Sequence, residues 1–98
     1  MIYKKYLGNT GEGDTWSDDR ILEFVKVEER KQMSITQNGR EIIGNALLFY
    51  DLINSNGLTE EPVQNSIIIF HNHKYHIESC DSLYDEKDTP HHYEVLLK

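Results

Sequence analysis

Residues Ser66 to Phe70 and Tyr75 to Ser79 are two short runs rich in β-branched and aromatic side chains, joined by His71-Asn72-His73-Lys74. A two-residue turn at His71-Asn72 puts Asn72 in the left-handed backbone region, which only glycine and asparagine adopt cheaply. The spacing therefore predicts an antiparallel hairpin, the sharpest local constraint in the chain. Other segments read the same way. Ile2 to Leu7 is a short tyrosine-rich strand, broken by the glycines of Gly8 to Asp14, which predict a mobile loop. Arg20 to Glu29 mixes Ile21, Leu22, Phe24, Val25 and Val27 with charges, the composition of one half-buried strand. Met33 and Ile35 alternate with polar neighbours ahead of Asn38-Gly39, a dipeptide that closes hairpins. Polar loops follow at Asn54 to Gly57 and Glu60 to Pro62, and an acidic one at Asp81 to Pro90. Pro90 stops a strand from running through that last loop, and His91 to Leu97 then sets Tyr93, Val95 and Leu97 on one face.

Arg40 to Asn54 fits two templates. Ile42, Ile43, Ala46, Leu47, Tyr50 and Ile53 have helical spacing. Against a helix, Gly44 lies in its middle at a cost of ~1 kcal/mol relative to alanine. A return strand also works, with Ala46, Leu48 and Tyr50 on one face and Leu47 and Phe49 on the other.

With 98 residues the chain has room for one domain, taken as residues 1–98. Ten Lys and Arg against 17 Asp and Glu give a net charge of −7, which argues against tight nonspecific phosphate-backbone binding. The longest apolar stretches, Ala46 to Tyr50 and Ile67 to Phe70, are far short of the ~20 residues that span a bilayer. Met1 to Leu7 has no apolar signal-peptide core, so it is expected within the fold. Cys80, as the one cysteine, cannot form an internal disulfide.

Five histidines near the end, His71, His73, His76, His91 and His92, are the one grouping that suggests a metal. Zinc needs three or four ligands converging on one point. His73 and His76 are an odd number of residues apart on a strand and point to opposite faces, His71 sits on the turn, and neighbours His91 and His92 diverge. Solvated turn and edge histidines are the plainer reading, and no metal ligand is assigned. Cys80 lacks the local signature of a thiol enzyme, and Asp18-Asp19 and Glu60-Glu61 read as solvated acids. Gly8, Gly11 and Gly13 do not have the spacing of a nucleotide-binding loop. No catalytic residue and no cofactor is expected. Tyr3, Tyr6, Trp16 and Tyr84 lie in or beside segments that read as too polar for a core. Such rings suit a contact surface with a partner, or cover the ends of a small barrel.

Three stretches carry a resemblance. They are Ala46-Leu47-Leu48-Phe49-Tyr50-Asp51 followed by Asn54-Ser55, then Ser66 through Ile77 with its His71-Asn72 turn, and last His91-His92-Tyr93-Glu94-Val95-Leu96-Leu97. Over roughly residues 20–98 the sequence resembles the minor capsid proteins of phages and prophages of Gram-positive bacteria, relatives of head-closure and head–tail joining proteins. In that family the middle turn usually reads Asp-Gly, which His71-Asn72 replaces here. The resemblance implies an all-β fold, a small antiparallel β-barrel with long mobile loops, and a strand rather than a helix over Arg40 to Leu52. It implies a role without catalysis, in which copies made in the bacterial cytoplasm form a ring at the head–tail interface of the virion. The partners would be neighbouring portal, connector and tail proteins, with DNA passing but not tightly bound, and no membrane. The loops Gly8 to Asp19 and Asp81 to Pro90 would then reach a neighbour. Two other classes compete: a metal-binding module or enzyme using His73, His76 and His91 or His92, and an oligonucleotide-binding barrel, which the sparse basic residues disfavour.

Overall fold

Every strand in the computed structural model, which describes residues 1–84 and 90–98, pairs antiparallel. The strands are β1 (Ile2–Lys4), β2 (Tyr6–Asn9), β3 (Asp14–Trp16), β4 (Arg20–Ile21), β5 (Lys26–Glu28), β6 (Gln32–Thr36), β7 (Gly39–Gly44), β8 (Ala46–Asp51), β9 (Ile67–Phe70), β10 (His73–Tyr84) and β11 (Pro90–Leu97). Seven form one sheet in the order β4-β1-β9-β10-β11-β8-β5, and β2-β3 and β6-β7 are separate two-stranded ribbons. The fold is all-β, as expected, and the large sheet is curled into a half-barrel.

Connectivity explains the curl. β4 and β5 are consecutive in sequence but occupy opposite edges of the sheet. Laid flat, seven strands at ~4.8 Å spacing would set those edges ~29 Å apart. The five steps from Ile21 to Lys26 reach at most ~18 Å. The sheet must bend until the short strap of residues 22–25 can cross its open side. Here the sequence expectation of one continuous strand over Arg20 to Glu29 fails. Phe24 turns the chain with φ at 57°, and Leu22 drops into the core. Glu23 exchanges two backbone hydrogen bonds with Asn56 at 3.0 and 3.1 Å, which ties the strap to the loop after β8.

The core lies on the concave face. The alternation read in β8 and β11 is observed: Ala46, Leu48 and Tyr50 are buried opposite Leu97, Val95 and Tyr93. Tyr3, Ile68 and Tyr75 make another buried row across β1, β9 and β10. Each such aliphatic or aromatic side chain contributes ~1.5–3 kcal/mol by leaving water. The phenols keep their polar ends satisfied. Val63 N–H donates to Tyr3 Oη at 3.2 Å, and Leu58 N–H donates to Tyr50 Oη at 3.0 Å. Arg40 to Leu52 is not helical. Gly44 fits the strand where a side chain would be crowded, since a Cβ there would meet Leu96 Cδ1 at 2.5 Å and the carbonyl of Leu97 at 3.0 Å.

Two turns refine their sequence reading. At the β9–β10 turn both His71 (φ 49°) and Asn72 (φ 64°) are left-handed, as a type I′ turn requires. Asn72→Ala is therefore expected to lower stability by about 1 kcal/mol, whereas Asn72→Gly lowers it not at all; thermal melts of the two variants give the comparison. At the β6–β7 turn Gly39 (φ 111°), not Asn38, takes the positive φ. The expected mobile loop at Gly8 to Asp19 is instead largely the β2–β3 ribbon. Gly8, Gly11 and Gly13 all have positive φ, which lets this chain reverse tightly enough for Asn9 to pair with Asp14. Much of the expected Asp81 to Pro90 loop, residues 85–89, lies outside the described residues, and β10 runs through Asp81 to Tyr84.

Candidate assembly surface

The four aromatic residues singled out in the sequence occupy different settings. Tyr3 is 2% exposed and belongs to the core, with its hydroxyl 3.4 Å from the buried Ser66 Oγ. Tyr6 and Trp16 face one another across the β2–β3 ribbon with ring centroids 5.7 Å apart. Trp16 Nε1–H donates to the carbonyl of Asn65 at 3.0 Å, and Tyr6 O–H donates to Asp14 Oδ1 at 2.8 Å, a bond to an anion that raises the phenol's pKa. Tyr84 ends β10, and the placement of its side chain lies outside the described residues.

The histidines stay dispersed. His73 has the strand parity of Tyr75, 3.5 Å from its hydroxyl, and His76 has the opposite parity. His71 stacks on Phe70 at 3.8 Å and lies 3.3 Å from the carboxylate of Glu29. His91 and His92 do not diverge as a regular strand would make them. Leu83 pairs with His92 and Tyr84 with Pro90, so His91 is an extra residue in a bulge, and the two rings meet edge-on with their Nδ1 atoms 3.1 Å apart. Among the described residues no three His, Cys, Asp or Glu side chains converge on a point that could hold a metal ion. Burial pushes the Cys80 thiol up to about 12, with the charges of Glu61 and Asp81 adding to it, so the reactive thiolate is scarce.

The structure also exposes a set of large apolar side chains. The β6–β7 ribbon continues the β5–β8 pair beyond the end of the sheet, and its register sets Met33 opposite Ile42 and Ile35 opposite Arg40. Residues two apart on a strand share a face, so Met33, Ile35, Ile42 and Arg40 form one surface. Met33 is 51% exposed and Ile35 83%, and Ile42 is exposed as well. An isolated two-stranded ribbon is marginal in water, and bare aliphatic surface of this kind is unusual on one. In the sequence, Met33 and Ile35 have the pattern of an ordinary alternating strand. Alternation along a strand does not report whether a second layer covers its apolar face, so the pattern carried no signal of this exposure.

A second exposed feature lies at the opposite end of β8. Phe24 is 74% exposed and stands at the rim of a cavity of about 330 Å³, lined also by Val25, Lys26, Phe49, Tyr50 and Asp51. Lys26 lies over the Phe49 ring at 5.8 Å. Ser55 fixes this wall by donating to the carbonyl of Phe24 at 2.6 Å while accepting from Asp51 N–H at 3.0 Å. The Asp51 carboxylate accepts from the N–H groups of Ile53 at 2.8 Å and Asn54 at 3.2 Å, which lowers its pKa.

No curated protein and no solved structure gives a match. Residues 1–97 match the family described as minor capsid protein, a match that reaches beyond the stretches that carried the resemblance. The chain thus belongs to the minor capsid protein family and is a structural component of the virus particle.

Proposed function

We propose that this minor capsid protein is a head–tail connector component of a phage or prophage, forming a ring of copies that joins the portal-bearing capsid to the tail. The observation that carries the reading is the β6–β7 ribbon, which holds exposed aliphatic side chains outside the main sheet of a chain of this family. A subunit whose task is to join other proteins needs such a surface, and a closed ring is the ordinary outcome of a repeated head-to-tail contact. The net charge of −7 fits a conduit that lets DNA pass, because an acidic lining repels phosphate rather than gripping it. Tyr6 and Trp16 would contribute a second contact, towards a portal or tail neighbour, since their rings are paired on a ribbon outside the main sheet.

Deleting the gene from the phage that carries it tests the assignment. Electron microscopy is expected to show DNA-filled heads and complete tails that remain separate. Joined, infectious particles in the deletion would overturn it.

A further inference from the structure

The β9–β10 turn and the β6–β7 ribbon leave the sheet at the same end. Leu97 stands between Ala46, where β7 runs on from β8, and Ile77, from which β10 runs back to His73 and the turn. In the sheet β10, β11 and β8 separate β9 from β5, so it is the curl that lets side chains from those two meet. They meet at Glu29, the residue after β5. Its Oε1 lies 3.3 Å from His71 Nδ1, an ion pair when the imidazole is protonated. The same carboxylate acts on Tyr75, whose phenol pKa is raised first by burial and then by the charge of Glu29 and a hydrogen bond to it. Stacking on Phe70, with centroids 3.8 Å apart, holds the His71 ring in place. Glycine would take the φ of 49° at no cost, so the ring is what histidine adds at this turn.

The other attachments of the ribbon base lie on its β7–β8 side. Asn45 N–H donates to the carbonyl of Leu97 at 2.7 Å, and Gly44 packs so closely on Leu96 and Leu97 that an added Cβ would collide. On the β5–β6 side the ladder is broken. Glu28 pairs with Leu47 and the next pair is Gln32 with Gly44, so residues 29–31 oppose only 45–46, and Glu29 sits in that break. A strand pair secured on one side and interrupted on the other is a hinge, and a side-chain contact across the break can open without loss of any ladder bond.

We infer that Glu29, held by His71 and Tyr75, is a latch that sets the attitude of the β6–β7 ribbon to the half-barrel, with Asn45 as the pivot. Released from His71, the ribbon swings as a unit while its own pairing and the bond from Asn45 to Leu97 persist. An ion pair as exposed as this one, with the His71 side chain at 74%, shifts an equilibrium by at most about fivefold, which suits a contact that opens and recloses. The device lies within one subunit and does not depend on the connector role.

Distances between spin labels in the purified chain provide the test. Gln37→Cys marks the ribbon tip and Ser79→Cys an exposed position on β10, in a Cys80→Ser background, at about pH 5.5, where an imidazole is protonated. One principal distance is expected. His71→Gly, which suits the backbone of the turn and removes only the ring, and Glu29→Gln should each raise the fraction of molecules outside that distance about threefold to fivefold. Glu41→Gln, the same loss of charge on the ribbon itself, should leave the distribution as it was. An unchanged distribution in either latch variant would overturn the inference, as would equal broadening by Glu41→Gln. The pivot has its own readout, amide exchange at Asn45, which should stay slow in His71→Gly. Exchange there as fast as at the ribbon tip would mean that the base unfolds rather than swings, and would also overturn it.

Discussion

Leu48→Ala is expected to lower the stability of the subunit by about 3–4 kcal/mol, through lost transfer energy and the cavity left behind. Leu48 is fully buried on the concave face, between Val95 of β11 and Val27 of β5. Paired strands hold both of its flanks, which limits how far the backbone can collapse into the space. A domain of this size is stable by ~5–15 kcal/mol, so the change removes a large part of the margin. Urea denaturation should show a lower midpoint with an unchanged slope, and Leu47→Ala, on the other face of the same strand and half-buried, should cost less than half as much. Equal losses for the two would mean that the concave face is not the core.

Gly57→Ala is expected to cost about 3–5 kcal/mol, for two separable reasons. Its φ of 119° is a conformation that a side chain disfavours, and an added Cβ would collide with the carbonyl oxygen of Ile21 and approach Leu22 Cδ2 to 2.7 Å. Backbone cannot step aside as the end of a side chain can, so overpacking adds to the conformational cost. Gly39→Ala is the control. It has a similar φ of 111° with nothing within 4 Å of the added carbon, and should cost ~1–2 kcal/mol. Chemical denaturation of both variants separates strain from collision. Because Asn56, beside Gly57, is hydrogen-bonded to Glu23 of the strap, the Gly57 variant should also open the barrel locally, visible as faster amide exchange at Glu23 and Asn56.

The same residues show where sequence reasoning reached its limit. Ile21, Leu22, Phe24, Val25 and Val27 have the composition of a single strand, yet Leu22 is buried, Phe24 is bare, and β4 and β5 end on opposite edges of the sheet. Composition reports how well a side chain suits a pleated surface and carries no information on whether the chain turns between two edges. For the assembly surface, Tyr3 and Trp16 were singled out together. One belongs to the core, and the other is half-buried with its indole bonded to Asn65, because polar neighbours in sequence do not reveal what a distant loop will cover. Met33 and Ile35 were read as strand residues, and the strand is there. Their exposure was not legible, since it depends on what the rest of the fold lays against the ribbon rather than on the alternation within it.

Sequence alone determined the features that depend on near neighbours. These are the alternation of Ala46, Leu48 and Tyr50 with Leu47 and Phe49, the single buried face of Tyr93, Val95 and Leu97, and the reversal at His71-Asn72. Side-chain period and turn stereochemistry act over a few residues, so they can be read from a few residues. Tertiary structure alone decided the curl imposed by the 22–25 strap, the bulge that brings His91 onto His92, and the separation of the ribbon from the Phe24 cavity by the length of β8. Each of those depends on which strand stands opposite which, and pairing between residues dozens of positions apart is settled only when the whole sheet closes on its core.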